Sequence, residues 1–365
     1  SNVGRYNLSG TAELNNGGQF HLGFGGGPGA TNEGHLSLAG QATMNLHEVR
    51  VGSNEANIGV IEQTGGTLNA NNIHLGDSEQ SAVGGSGTYH QSGGALVAND
   101  WMVVGRLNGG TGTYNLSGGS LTINNDFLTI GESNASGTVN VSGTADVDLP
   151  GQGLVVGRND GGVGVFNITG SAASVDTNKL YVGVNDGGVD TTATGTISFT
   201  SDAMGVSPIL ASGDVIFGDE ASLLVDLSAG PAIPADVLLV DVGGALTGEF
   251  LGLPEGTAVP GAGGRVITYA YGDGNDIALV VPHQANTRII TAACDRLGVH
   301  MDRTAVVLHR TGNTSSASIP LALSDALDNG RVKDGDLVLF VGFGAGMTAA
   351  SAVIRWSTEV EELRA

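Results

Sequence analysis

The sequence offers a single cysteine, Cys294, in 365 residues. One thiol excludes any disulfide within the chain, and with it both a disulfide-stapled scaffold and a cysteine-rich metal module. Aromatic residues make up only 5%, and Lys plus Arg occupy 14 positions against 36 for Asp plus Glu. Nucleic-acid binding needs a surplus of cationic side chains, so a net charge of −22 argues against it; solubility is the plain use of that charge. No run of 18 apolar residues occurs, so no membrane span is expected. The chain opens with Ser-Asn and shows no charged-then-apolar leader. Its true N-terminus and any signal peptide are therefore expected to lie outside this sequence.

What abounds is glycine. Its 62 copies are about twice the share expected from the ~7% base rate, without the triplet period of collagen. Many turns, and so a repeating β architecture, follow. Charge is unevenly spread: 6 Lys plus Arg stand against 27 Asp plus Glu through Val280, and 8 against 9 from Val281 onward. Such a break marks two bodies of different origin. The length allows two or three domains, each with its own core.

The first 219 residues repeat one phrase. Its clearest copies are G-T-Y-H-Q-S-G-G-A-L from Gly87, G-T-Y-N-L-S-G-G-S-L from Gly112 and G-T-V-N-V-S-G-T-A-D from Gly137, with related openings at Gly4, Gly34, Gly59, Gly164 and Gly195. The spacings are 30, 25, 28, 25, 25, 27 and 31 residues. A second phrase closes most copies: V-R-V-G at Val49, I-H-L-G at Ile73, M-V-V-G at Met102, L-T-I-G at Leu128, L-V-V-G at Leu154 and L-Y-V-G at Leu180. Tyr114, Leu116, Leu121, Ile123, Leu128 and Ile130 alternate with polar neighbours, which predicts three short strands per copy. Gly118-Gly119, Asn124-Asn125 and the stretch Gly131–Ser136 punctuate them as turns. One such coil cannot cover its own apolar face, but a stack of eight makes a continuous core, the parallel β-helix. A propeller would need blades nearer ~40 residues.

Several polar groups of this part invite functional readings. Asp273, Asn275 and Asp276 have the look of a calcium-binding turn, yet one copy supplies too few oxygen ligands, and a plain turn is expected. No carboxylate is expected to stack on the next coil in register, so a solvated acidic face is favoured over a paired-carboxylate glycosidase site. His21, His35, His47, His74 and His90 lack metal-ligand spacing and read as surface or turn histidines. Beyond Ala221 the repeat decays toward Leu253, with Pro231 and Pro234 before Val237–Val240, as expected of a capping coil. The repeats resemble the passenger β-helices of bacterial autotransporters and of surface proteins with PEP-CTERM sorting tails. Y-G-D-G-N-D-I-A-L-V, Tyr271–Val280, is similar to the ending of such passengers.

From Val281 the texture becomes α/β. Helices are expected over Gln284–Leu297, ended by Gly298, and over Ser316–Asp328; strands over Ala305–Leu308, Leu337–Val341 and Ser351–Trp356. The blocks V-P-H-Q-A-N-T-R-I-I, T-G-N-T-S-S-A-S-I-P-L-A-L, D-G-D-L-V-L-F-V-G-F-G-A-G-M-T and A-V-I-R-W, running from Val281 to Trp356, resemble the C-terminal half of β-ketoacyl-acyl-carrier-protein synthase III in order and spacing. That resemblance implies a thiolase-like fold and an acyltransferase of fatty-acid or polyketide synthesis. It also implies coenzyme A thioester and acyl carrier protein as substrates, the carrier protein as partner, and no bound cofactor or metal. The family's Cys-His-Asn set falls here on His283 and Asn313, two neutral groups able to donate hydrogen bonds to an enolate oxygen. Arg288 matches the carrier-protein docking arginine, and Gly342, Phe343, Gly344, Ala345 and Gly346 match the loop lining the acyl pocket.

The family's nucleophilic cysteine has no counterpart here. Cys294 falls in mid-helix among Ala292, Ala293 and Leu297, away from any helix N-terminus that would lower its pKa, and is expected to be a small core residue. Thr348-Ala349-Ala350 departs from the Thr-Trp-Gly of many members. The expected fold class is therefore mixed: a right-handed parallel β-helix followed by an α/β thiolase-like half-domain. The expected divisions are 1–219 for the repeats, 220–280 for an irregular capping coil and 281–365 for the synthase-like part. Three functions remain open: a condensing-enzyme half, inactive without the nucleophile-bearing half; an exported structural or adhesive β-helix; and a join of two unrelated genes. The first implies cytoplasm, and the second the cell surface or secretion.

Overall fold

The structure, a computed structural model, describes residues 2–25, 31–54, 56–78, 83–185, 188–189, 192–229, 237–263, 265–269, 277–297, 301–333, 335–344 and 348–357. The chain divides into two compact units, Ser1–Tyr269 and Ala270–Ala365.

The first unit is a parallel β-solenoid of about eight turns. The opening glycines of the repeat stand directly over one another. Gly4 pairs with Gly34, Gly34 with Gly59, Gly59 with Gly87, Gly87 with Gly112, Gly112 with Gly137, Gly137 with Gly164, and Gly164 with Gly195. The sequence repeat is thus the structural repeat. Tyr114, Leu116, Leu121, Ile123, Leu128 and Ile130 all point inward and are almost fully buried. A buried side chain of this kind contributes roughly 1.5–3 kcal/mol, and it does so only because the coils above and below cover it.

The copies opening at Gly164 and Gly195 hold the three expected strands, as in Val163–Thr169, Ser174–Thr177 and Leu180–Asn185. In those opening at Gly59, Gly87, Gly112 and Gly137 the first two run together. Thr111–Ile123 is one bent strand, followed by Phe127–Glu132. The glycine pair does not end the strand. Gly119, at a φ of 84°, turns the chain a corner while its neighbours keep their partners on the adjacent coil, since glycine tolerates positive φ. A second pair of glycines is required by contact. A Cβ on Gly112 would come within 2.3 Å of the Gly105 nitrogen, and one on Gly105 within 2.1 Å of the Ser136 oxygen.

Inside the corner sits a polar network that the repeat phrase encodes. The buried Tyr89 donates its hydroxyl to Gln63 Oε1 at 2.5 Å, and Tyr114 donates to Gln91 Oε1 at 2.5 Å. Gln63 Nε2 donates to the carbonyls of Gly66 and Ala95, and Gln91 Nε2 to those of Gly94 and Ser120. Every amide group is used, which is the condition for burying one without penalty. Burial raises both phenols well above their ordinary pKa.

The pairing continues past the last clear repeat. Ala221–Asp226 pairs with Thr194–Thr200, Val240–Val242 with Ile209–Ala211, and Leu246–Thr247 with Val215–Phe217. Phe250 then stacks on Phe217 with centroids 4.1 Å apart, and Tyr269 hydrogen-bonds the Phe250 nitrogen and the Leu253 oxygen. Leu253, Val259, Ala262 and Ile267 join the same core. Pro231 and Pro234, and the Asp273, Asn275 and Asp276 turn, lie outside the described residues.

The second unit holds a three-stranded sheet. Ile277–Pro282 pairs parallel with Leu337–Gly344, which pairs antiparallel with Thr348–Arg355. Helices span Thr287–Leu297 and Ser318–Asp328, the latter preceded by a 3-10 turn at Ser315–Ala317. The first helix starts three residues later than expected because Asn286 precedes it: its Oδ1 accepts from the Arg288 N–H and its carbonyl from Ile289 and Ile290, an N-cap arrangement. Gly298 lies outside the described residues. Leu279, Val281, Ala305, Val307, Ala322, Ala326, Val332 and Val338 form the core.

The strand expected over Ala305–Leu308 is absent. A short helix, Leu308–Thr311, begins there instead. The buried Gln284 side chain explains it, donating to the Ala305 carbonyl at 3.0 Å and accepting from the Val307 N–H at 2.9 Å. A side-chain amide thereby satisfies backbone groups that a ladder would otherwise have held.

Candidate functional site

Pro282 ends the first strand of the second unit, and His283 follows it. The His283 N–H donates to the Val341 carbonyl at 2.7 Å, so the adjacent strand holds its backbone. Its ring is held as well: Nδ1 lies 2.6 Å from the Ser318 hydroxyl. Ser318 is buried at the first position of the Ser318–Asp328 helix and also accepts from the Gln284 N–H at 3.2 Å. Both Ser318 and Gln284 went unnoticed in the sequence reading. The signal was present, since both stand inside the quoted blocks, but neither is a reactive residue type.

Asn313 occupies the exposed turn between Leu308–Thr311 and the 3-10 turn. Its Oδ1 accepts from the Ser315 N–H at 2.9 Å, which fixes the carboxamide and leaves its NH2 as donor. His283 and Asn313 have no direct hydrogen bond to each other among the described residues; Ser318, five residues beyond Asn313, is the element through which the two segments meet. Arg288 is exposed in the first turn of its helix. Of the expected pocket loop, Gly342, Phe343 and Gly344 end a strand, whereas Ala345 and Gly346 lie outside the described residues. Cys294 is buried, with Sγ 3.3 Å from Thr304 Oγ1, in keeping with a core role.

The solenoid carries a charged column that the sequence reading missed. Ser53, Asp77, Arg106, Glu132 and Arg158 stack in register on successive coils. Arg106 Nη1 lies 3.7 Å from Asp77, and Arg106 Nε lies 3.7 Å from Glu132. Arg158 Nη1 is 3.8 Å from Glu132. Arg50 adds a bond of 2.6 Å to Asp77 and one of 2.5 Å to Glu48. Every member of the column follows the glycine of a closing phrase, as in Gly76-Asp77 and Gly105-Arg106. Burial acts to raise the Glu48 pKa, but hydrogen bonds from Gln19 and Arg50 prevail and lower it.

Two expectations are corrected here. His74 is not a surface histidine but is 3% exposed. Burial, helped by the charges of Arg106 and Arg50, holds its pKa well below the ordinary 6.5. Its ring meets the half-buried Trp101 edge-on with centroids 5.7 Å apart, and Arg106 also lies over Trp101 at 5.2 Å. Carboxylates do stack in register: Asp148 lies over Asp176, and Asp146 over Ser174. Partial burial and the neighbouring Asp148 and Asp146 raise the Asp176 pKa. Among the described residues no group of three or more His, Cys, Asp or Glu is placed to hold a metal ion. No described helix is long and apolar enough to cross a membrane.

Residues 270–356 match the family model of the 3-oxoacyl-[acyl-carrier-protein] synthase III C terminal. The C-terminal part is homologous to that enzyme family, and its region of the fold is thiolase-like. β-Ketoacyl-[acyl-carrier-protein] synthase III 2 of Deinococcus radiodurans is 40% identical over 167 residues, 39% of this chain and 49% of the relative. The synthase III of Roseiflexus castenholzii is 58% identical over 83 residues, covering 23% of this chain and 25% of its own. A crystal structure of the synthase III of Thermus thermophilus is 60% identical over 23% of this chain and 26% of its own, with a TM-score of 0.22. This chain therefore spans between about a quarter and a half of the length of these relatives.

Proposed function

We propose that the C-terminal unit carries the decarboxylation half of a β-ketoacyl-[acyl-carrier-protein] synthase III site, and that this chain alone does not condense. The observation that carries the reading is the 2.6 Å contact between His283 Nδ1 and the Ser318 hydroxyl. In this reading the Ser318 hydroxyl, which accepts from the Gln284 N–H, donates its own proton to Nδ1, and the imidazole proton resides on Nε2. A neutral imidazole in that tautomer is a donor. When a malonyl thioester loses CO2, electron density moves onto its thioester oxygen, and Nε2–H of His283 with the NH2 of Asn313 would stabilise the enolate. Arg288, exposed at the start of its helix, would meet the acidic carrier protein, and Gly342–Gly346 would line the acyl pocket.

The enolate carbon must then attack an acyl thioester carried by a nucleophile. Cys294, buried and hydrogen-bonded to Thr304, cannot reach coenzyme A, so a separate nucleophile-bearing half would have to supply that group. Incubating the full chain with acetyl-coenzyme A and malonyl-carrier protein tests this. No β-ketoacyl product is expected; product formation that His283→Ala abolishes would sink the claim of inactivity.

The extent of the solenoid, most of the chain, favours a second reading. In it the protein is an exported structural or adhesive β-helix, of the autotransporter or PEP-CTERM kind, with a non-catalytic tail. Fractionation separates the two, since the first places the chain in the cytoplasm and the second at the cell surface or in the medium. A join of two unrelated genes is the third reading and is met by a peptide test described below.

A further inference from the structure

One face of the solenoid bears an open groove of about 460 Å³ lined by six asparagines together with Gly17, Leu46 and His47. Two rows of side chains run along it from coil to coil. In the first, Asn45 Nδ2 donates to Asn15 Oδ1 at 2.7 Å and Asn69 Nδ2 to Asn45 Oδ1 at 2.8 Å. In the second, Asn71 Nδ2 meets His47 Nδ1 at 3.1 Å and Asn99 Nδ2 donates to Asn71 Oδ1 at 3.4 Å. Leu46 lies between the rows. The ladder bonds hold each amide in a fixed plane, and Asn45 and Asn71 each spend on them only one N–H and one lone pair, so each of these amides retains a second donor and a second acceptor.

The composition of the groove selects its ligand. Among the described residues no Asp, Glu, Lys or Arg lines it, although the chain carries a net charge of −22; the Glu13 carboxylate beside it accepts from Asn15 Nδ2 at 2.9 Å. Among the described residues no Phe, Tyr or Trp lines it either, and its one ring, the His47 imidazole, has Nδ1 within 3.1 Å of Asn71 Nδ2, so a flat ligand has little to stack on. What remains is a surface that both donates and accepts, the complement of a hydroxyl group. Its rungs repeat at the strand spacing of ~4.8 Å, close to the sugar repeat of an extended β-1,4-linked chain. The lining residues belong to four coils, a length of roughly 14 Å at that spacing, enough for about three sugars. We infer that this groove binds a neutral β-1,4-linked glycan along the solenoid axis. The binding is weak and saturable, because preordered amides offer hydrogen bonds without apolar anchors.

Titrating cellohexaose into the full chain, followed by calorimetry and saturation-transfer NMR, tests the inference. Saturable binding is expected, weakened at least tenfold in Asn45→Ala and in Asn71→Ala, with maltohexaose, whose chain coils, at least tenfold weaker. Should Asn45→Ala or Asn71→Ala lower the melting temperature, the exposed Asn99→Ala and His47→Ala provide the decision, each expected to weaken binding threefold or more on an unchanged melting curve. Absence of saturable cellohexaose binding would overturn the inference. So would affinity unchanged in the folded variants, or maltohexaose binding as tightly as cellohexaose.

Discussion

Arg50 donates from Nη1 to Oδ2 of Asp77 at 2.6 Å, from one coil of the solenoid to the next, with the Asp77 side chain wholly buried. Asp77 also faces Arg106, so one carboxylate serves two guanidinium groups. Removing one member of a buried ion pair leaves the others uncompensated and costs about 3–5 kcal/mol. Asp77→Ala should therefore lower the solenoid's melting temperature sharply, as read by far-ultraviolet circular dichroism. The exposed pair Arg310–Asp325 is the control: Asp325→Ala should change stability little.

His74 makes the solenoid sensitive to mild acid. Its folded pKa lies well below 6.5, so between the two values the unfolded chain binds more protons than the folded one. Stability is then fully present above about pH 6.5 and falls as the pH drops toward the folded pKa. Glu48, also lowered, extends the loss below about pH 4.5, where the unfolded carboxyl takes up its proton first. Melting temperatures at pH 7.5, 6.0 and 5.0 should decline, and His74→Leu should flatten the slope between 7.5 and 6.0. An equal slope in the variant would assign the acid sensitivity to other groups.

Gly112 leaves no room for a side chain. A Cβ there would meet the Gly105 nitrogen at 2.3 Å and the Leu75 oxygen at 2.5 Å, both backbone atoms. Gly112→Ala must push adjacent coils apart and should cost about 3 kcal/mol or more. Gly109→Ala, where the space is open but φ is +82°, should cost only roughly 1–2 kcal/mol. Chemical denaturation of the two variants should rank them in that order.

The proposed donation from the Ser318 hydroxyl to His283 Nδ1 can be read without any turnover. Nitrogen-15 NMR of the ring should show an unprotonated Nδ1 and a protonated Nε2 near pH 8. Ser318→Ala should shift the balance between the two tautomers, while Ser318→Thr, keeping the hydroxyl, should restore it. A ring already protonated at Nδ1 in the unaltered chain would remove His283 from the donor role.

Trypsin cuts after Arg265 and Arg288, so Val266–Arg288 is the peptide that spans the change in charge and texture. Its detection by mass spectrometry in extract of the source cells is expected if the two parts are made as one chain. Peptides from both sides, such as Leu180–Arg265 cut further by a second protease and Thr304–Arg310, found repeatedly without it would favour the join of two unrelated genes.

Much of the architecture could be read without coordinates, because in a solenoid each coil repeats the demands of the last. Spacing Gly87, Gly112 and Gly137 by 25 residues already states which residues stack, and they do stack. The synthase-like blocks were equally plain, since His283 and Asn313 sit inside long matching flanks. The corner at Gly118-Gly119 was less so. Its turn residues signalled a break, but a positive-φ glycine can bend a strand that neighbouring coils keep paired.

By itself, then, the sequence determined the coil period, the inward apolar positions, the single buried thiol and the kinship of the last quarter. Only the tertiary structure decided which polar groups meet. Asp77 and Arg106 are 29 positions apart, and Asp148 and Asp176 are 28 apart; register rather than proximity in the chain brings each pair together. His74 looks like a surface residue by type, and the coils stacked on either side bury it. Gln284 likewise cancels a strand that Ala305–Leu308 would favour locally, because its amide captures the backbone groups first. In each case the meeting is settled between residues distant in sequence, where no local pattern records it, and for the buried Gln284 it is the cost of leaving a polar group unpaired that decides it.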